Sequence, residues 1–135
     1  KPWEPRALYF GGGPKMGPQI TGSVAAMDVN TGKVVAKYDM AYPNLAGMLA
    51  TKGGLVFSAS PDGTIFALDS DNLKELWRFE TNFGTNAPPM TFAVDGKQYV
   101  AVLAGLGGAW PQWFNSTTPG LEKVESGNML FVFSL

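Results

Sequence analysis

The side chains that could do chemistry are few. The 135 residues contain no His and no Cys, which removes a His-based triad, a His metal site and thiol or disulfide chemistry from this chain. Carboxylates remain. Glu122 and Glu125 flank Lys123 and read as a solvated charge run, with no carboxylate cluster resembling a metal cage. Asp28 and Asp69 each close an apolar run just before a turn, where an Asp accepts hydrogen bonds from turn N–H groups. Both are expected to be structural. Gly11-Gly12-Gly13 could cradle a phosphate, but no Lys-Ser/Thr follows and no helix start is visible. It reads as a connector. What is left is aromatic: Trp110, Trp113 and Phe114 stand among Gly and Pro, a composition suited to a lid or pocket wall with indole N–H donors. Asn115-Ser116-Thr117 matches a glycosylation acceptor, a triplet frequent by chance. The chain carries walls of a site rather than its chemistry.

Walls need a framework, and four short runs rich in β-formers supply one: Met48–Thr51, Leu55–Ser60, Thr64–Asp69 and Glu75–Glu80. Lys52-Gly53-Gly54, Pro61-Asp62-Gly63 and the polar Ser70–Lys74 separate them. Gly-Gly and Asp-Gly between alternating apolar runs are strong hairpin signals, because Gly accepts the positive φ of tight β-turns. Four strands in about 32 residues predict a small antiparallel meander the size of a propeller blade.

The same elements recur. Ala26–Lys33 aligns with Ala67–Lys74, with Asp28 and Asp69 41 residues apart. A third, partial copy sets Lys97–Val102 on Gly53–Ser58 and Gly127–Ser134 on Gly63–Ser70. A period near 40 with four strands per unit signals a β-propeller. The expected fold is all-β: about two to three four-stranded antiparallel blades of a larger ring. Ala7–Phe10, Ser23–Met27 and Val34–Asp39 give most of one blade, and Met48–Glu80 a complete one. Pro89–Val94, Lys97–Ala104 and Met129–Ser134 give three strands of another. Residues 1–47 are thus the end of one blade with connectors, 48–88 a complete blade, and 89–135 a further blade interrupted by an inserted loop, 105–127. Long loops that break a repeat are often functional. Met40–Gly47 and Thr81–Pro88 cross between blades. Trp77, whose counterpart in the first repeat is Ala36, is expected to pack between blades.

A closed propeller needs at least four blades of about 40 residues, so this arc would expose strand edges and apolar faces at both ends. The remainder of the ring is expected from another chain, from an upstream segment or from copies of this one. Ten basic against eleven acidic residues give nothing to attract nucleic acid or an anionic membrane surface. No apolar run of about 18 residues is present, so no membrane span is expected. The start at Lys1-Pro2-Trp3 suggests an internal or processed end.

One resemblance is carried by particular residues. Leu49–Phe57, Asp62-Gly63, Ala67-Leu68-Asp69, Leu76–Phe79, Pro89–Phe92 and Asp95–Ala101 together resemble the C-terminal part of PQQ-dependent (quinoprotein) alcohol dehydrogenases. The resemblance covers about residues 20–135. Enzymes of this family are eight-bladed propellers with an A-x-D-x-x-x-G-x-x-x-W type repeat; the Ala26–Ala36 copy lacks the Trp, and the Ala67–Trp77 copy has Leu73 in place of the Gly. The resemblance implies pyrroloquinoline quinone (PQQ) as cofactor, a calcium or lanthanide ion, a carboxylate base, a small primary alcohol as substrate and a cytochrome c-type electron acceptor in the periplasm. It places the metal ligands and the base outside this segment. What it assigns here is the end of the pocket. Gly107-Gly108-Ala109-Trp110 approaches the cofactor and lines the substrate cavity, Leu45-Ala46-Gly47 stands where relatives often carry Trp-x-Gly beside the cofactor, and Asn86 faces the same funnel. Trp113 and Phe114 are expected in the substrate pocket. Two functions follow as expectations: a segment that completes an alcohol dehydrogenase and is inactive alone, or a non-catalytic propeller segment serving as scaffold or binding surface.

Overall fold

A computed structural model describes residues 2–6, 20–108, 118–125 and 127–134. The described residues form nine strands and no helix: β1 (Gly22–Met27), β2 (Val34–Met40), β3 (Leu49–Ala50), β4 (Leu55–Ala59), β5 (Thr64–Asp69), β6 (Glu75–Glu80), β7 (Met90–Val94), β8 (Lys97–Ala104) and β9 (Met129–Ser134). They make three sheets in chain order, β1-β2, β3-β4-β5-β6 and β7-β8-β9, and every pairing is antiparallel. The central sheet is the four-stranded meander expected from Met48–Glu80. The expected strand Ala7–Phe10 and the Gly11–Gly13 connector lie outside the described residues.

The turns explain why these segments fold this way. Asp28 and Asp69 build the same structure twice. Asp28 Oδ1 accepts hydrogen bonds from the N–H groups of Asn30 and Thr31, and Asp69 Oδ1 accepts them from Asp71 and Asn72. In each copy the Asp N–H donates to the carbonyl five residues on, and the Asp carbonyl accepts from the residue four on, Gly32 or Leu73. That last residue must take a left-handed conformation, with φ of 67° at Gly32 and 57° at Leu73. Gly does so freely, while a Leu there is strained by about 1–2 kcal/mol. Leu73 offsets this by burying its side chain, which is 4% exposed. The hydroxyl of Thr31, then its N–H, holds the Asp28 carboxyl below the usual carboxylate range. At the β7–β8 hairpin, Asp95 and Gly96 both have positive φ, the geometry a two-residue primed turn needs.

Repetition extends to the bulge. The β1–β2 register shifts between Ala26 and Met27, and the β5–β6 register shifts between Ala67 and Leu68. Ala26 lies opposite Ala36 as Ala67 lies opposite Trp77, so Ala36 is the counterpart of Trp77.

Opposed residues on neighbouring strands share a face, and the central sheet is covered on both. On one side Phe66, Leu68 and Leu73 meet Val24 and Met40 of the first sheet, with Tyr38 and Val56 packed alongside. On the other, Phe57, Ala59, Ile65 and Ala67 meet Val100 and Val102 of the third sheet, with Phe131 and Phe133 against them. Thr64 through Leu68 are accordingly all buried. Each fully buried Phe, Ile or Leu contributes roughly 1.5–3 kcal/mol. Trp77 does pack between sheets, edge-on to Phe133 at 5.0 Å between ring centroids.

The third repeat differs from its expected alignment by one residue. Leu55 pairs with Asp69 in the central sheet, whereas Tyr99, in the place of Leu55, pairs with Ser134. Asn128 rather than Gly127 therefore occupies the place of Gly63. A one-residue slip exchanges the faces of a strand, and with this register Phe131 and Phe133 point at the central sheet. Gly127 is small for another reason: a Cβ there would lie 2.5 Å from the ring of Phe83.

Candidate functional site

The hairpins at residues 28–33, 51–54, 70–74 and 95–96 lie at one end of the sheets. At the other end lie the 60–63 turn, the crossing loops 41–48 and 81–89, and both ends of the inserted loop. Three of the loops that carry candidate site residues therefore share one rim.

Loop 81–89 holds this rim together. The Thr81 hydroxyl is within 2.8 Å of the Gly63 carbonyl and 2.7 Å of the Phe83 carbonyl, and the Thr85 N–H donates to the Ser60 carbonyl at 3.3 Å. On its other side the loop receives both ends of the insertion. Gly105 N–H donates to the Gly84 carbonyl at 2.9 Å. Isolated parallel bridges join Thr85 to Gly105 and Phe83 to Glu125. Gly84 has to be Gly, since a Cβ would lie 2.6 Å from the Pro61 carbonyl and 2.8 Å from the Leu106 side chain. Beyond this clamp Leu121 is buried, and Gly120 lies so close to Tyr42 that a Cβ would collide with the hydroxyl. The insertion thus reaches from the third sheet back to the loop between the first and central sheets.

Against that frame, Leu45 is half-buried and Ala46 is buried, packed in the core beside Phe57 and Val100. Gly47 approaches Pro88, where a Cβ would lie 2.8 Å from the proline ring. Asn86, two residues earlier, donates its side-chain amide to the Gly107 carbonyl at 3.3 Å. Gly107 and Gly108 are exposed. Among the described residues, no atom beyond its chain neighbours lies within 4 Å of where a Gly107 side chain would begin, and Gly108 has a φ of 83°. The structure brings Leu45, Asn86 and Gly108 onto neighbouring stretches of one rim. Ala109, Trp110, Trp113, Phe114 and the Asn115-Ser116-Thr117 triplet lie outside the described residues. Glu122 and Glu125 are exposed; the former accepts a hydrogen bond from Gly120 N–H at 2.6 Å. Among the described residues, no three His, Cys, Asp or Glu come together as a metal site, and no helix is long and apolar enough to cross a membrane.

One polar cluster has no local sequence signal. Arg78 donates from Nε and Nη2 to Glu75 at 2.9 and 2.8 Å, and the Tyr38 hydroxyl, from the first sheet, donates to Glu75 Oε2. Hydrogen bonds from Arg78, then from Tyr38, hold the Glu75 carboxyl below its ordinary value against the opposing effect of desolvation. Burial, then Glu75, pushes the Tyr38 hydroxyl up. Tyr38 and Arg78 border a cavity of about 130 Å³ between the first two sheets. The cluster links the first two sheets.

Comparison with known proteins gives this geometry its context. The family described as "PQQ: Glucose/ethanol/alcohol dehydrogenase, beta-propeller domain" matches residues 20–100, more than half of the chain. A quinoprotein ethanol dehydrogenase of Pseudomonas putida is 42% identical over 114 residues, which are 84% of this chain and 18% of that protein. Subunit 1 of the Paracoccus denitrificans methanol dehydrogenase [cytochrome c] is 36% identical over 124 residues, covering 81% of this chain and 20% of the relative. Among solved structures, a europium-containing methanol dehydrogenase superposes with a TM-score of 0.72 at 32% identity, over 84% of this chain and 23% of that one. The chain therefore spans about one fifth of the length of these relatives. With a repeated antiparallel blade, sheets packed face to face and these similarities together, the chain belongs to the PQQ-dependent alcohol dehydrogenase β-propeller family.

Proposed function

We propose that this chain supplies C-terminal blades of a PQQ-dependent alcohol dehydrogenase that oxidises a primary alcohol to an aldehyde, closing the propeller and lining the cofactor and substrate pocket. The observation that carries this reading is the convergence of loops 41–48, 81–89 and 105–108 on one rim, through Gly47 against Pro88 and Asn86 against Gly107. The residues present suit a flat cofactor. Gly107 and Gly108 offer an exposed backbone with open space in front of Gly107, and the absence of a Cβ lets a planar ring system approach closely. PQQ, when bound, would supply a hydride acceptor for alcohol oxidation, and the Gly107–Gly108 backbone would hold one side of its ring system. The carboxylate base and the ligands of the calcium or lanthanide ion are assigned to blades outside this chain. Leu45, Ala46, Gly108, Ala109 and Trp110 are assigned to the cofactor side. Trp110, Trp113, Phe114 and Asn86 are assigned to the substrate side. A cytochrome c-type acceptor and a periplasmic setting complete the reading, and the segment is inactive alone.

The third sheet supports membership of a larger ring. Its outward face presents Met90, Phe92, Val94, Leu103, Leu130 and Val132, each at least 41% exposed, a surface that suits a neighbouring blade. Among the described residues β9 is also an edge strand, in the position that β5 holds in the central sheet, where β6 covers it. An apolar groove of about 570 Å³ lined by Trp77, Val132 and Phe133 runs beside it, as an uncovered fourth-strand position would.

The test is Gly107→Leu in the protein assembled with its remaining blades. Among the described residues a Gly107 side chain would displace nothing, so the thermal midpoint should stay within about 2 °C, as for a surface change of under about 0.5 kcal/mol. PQQ affinity, read by quenching of tryptophan fluorescence, should fall at least about tenfold, as expected when a bulky group blocks a preformed site. Unchanged PQQ affinity would remove Gly107–Gly108 from the pocket.

A further inference from the structure

We infer that Asn86 is a positioning residue: its side-chain amide fixes the Gly107 carbonyl and thereby sets the orientation of the Gly107–Gly108 backbone presented to the cofactor. The inference rests on the pocket reading above and adds to it a residue that acts through another. Main-chain contacts to loop 81–89 hold the insertion at Gly105, through the Gly84 carbonyl and the Thr85 bridge. Beyond Gly105, Leu106 is half-buried with its side chain close to Gly84, and Gly107 and Gly108 are exposed.

Two consecutive exposed glycines have wide backbone freedom, and the φ of 83° at Gly108 is one of several conformations such a pair can adopt. The bond from Asn86 Nδ2 to the Gly107 carbonyl at 3.3 Å is the side-chain restraint given to this pair among the described residues. Asn86 is itself anchored, because Thr85 is fully buried and donates to Ser60, and Pro88-Pro89 limit the chain that follows. A short side chain on a fixed backbone loses little entropy when it makes this bond. Asn86 thus shapes the substrate side of the rim through the carbonyl it holds.

Asn86→Asp and Asn86→Ala separate the possibilities, because Asp keeps the shape and loses the donor. Both are made in the protein assembled with its remaining blades, and two quantities are read: PQQ affinity by fluorescence quenching, and amide hydrogen exchange of residues 105–108. A lost hydrogen bond corresponds to about a 3- to 10-fold change in affinity. Both variants should weaken PQQ binding by that factor and speed exchange at Gly107 and Gly108, while exchange in β7 and β8 stays at wild-type rates. Wild-type affinity and exchange in Asn86→Asp would overturn the inference, as would faster exchange with unchanged affinity. Absence of PQQ binding by the wild-type assembly would instead defeat the pocket reading itself, and the exchange rates would still report whether Asn86 restrains the turn.

Discussion

At the scale of the residue, the Tyr38–Glu75–Arg78 cluster ties the first sheet to the central one and gives the stability a pH dependence. The folded state holds Glu75 below its ordinary value, chiefly through Arg78. Between the unfolded and folded values the unfolded chain binds more protons, so stability falls as pH drops through that window and is fully present above it. Tyr38, pushed up mainly by burial, works at the other limit: its contribution is present below the ordinary tyrosine value and lost as pH rises past it. Glu75→Gln should flatten the acid limb of the stability-versus-pH curve, measured by urea unfolding from neutral pH to below the ordinary glutamate range. At neutral pH the change should be small, within the roughly 0–1 kcal/mol of a partly exposed ion pair. An acid limb identical to wild type would mean that the slope comes from other carboxylates. None of this could be read in the sequence. Tyr38 and Glu75 are 37 residues apart, and no local pattern marks either as a partner of the other.

At the scale of the element, the Asp turns were legible because their physics is local. An Asp, a polar loop and a residue able to take positive φ suffice, and the sequence shows them twice. The Leu73 copy gives the sharper test. Gly32→Ala should cost about 1–2 kcal/mol, since it puts a side chain at positive φ in open space with nothing to gain. Leu73→Gly relieves a strain of the same size but forfeits about 1.5–3 kcal/mol of buried apolar surface, so it should also destabilise, by about 1 kcal/mol. Chemical denaturation of both variants checks this, and a stabilised Leu73→Gly would show that the Leu side chain contributes less than its burial implies. Where the repeat was interrupted, local reading failed by one residue. Gly127 resembles a turn glycine in sequence, yet it is small to admit Phe83, and β9 enters its sheet from Asn128. The Asn86–Gly107 bond was equally hidden, since it depends on two loops meeting at the rim. The sequence suggested Asn86 facing a funnel and gave no sign of the carbonyl it holds.

At the scale of the whole molecule, the central sheet has four strands with apolar packing on both faces. Among the described residues the first sheet presents two strands, and the third presents three with an apolar outer face and an unpaired edge at β9. Propeller blades pack side by side around a ring, so under the proposed function this arc depends on neighbouring blades for its energetics as well as for its chemistry. That dependence was visible in the count of strands against the needs of a closed ring. The number of blades and the location of the metal and base came from resemblance to a family, which assigns them outside this chain. The most direct test is native mass spectrometry of the purified material, followed by the same sample under denaturing conditions. The account predicts a native species containing further propeller blades, PQQ and one metal ion, with cofactor and metal released on denaturation. A homo-oligomer of this chain with neither PQQ nor metal would contradict it, leaving a ring closed by self-association and no dehydrogenase.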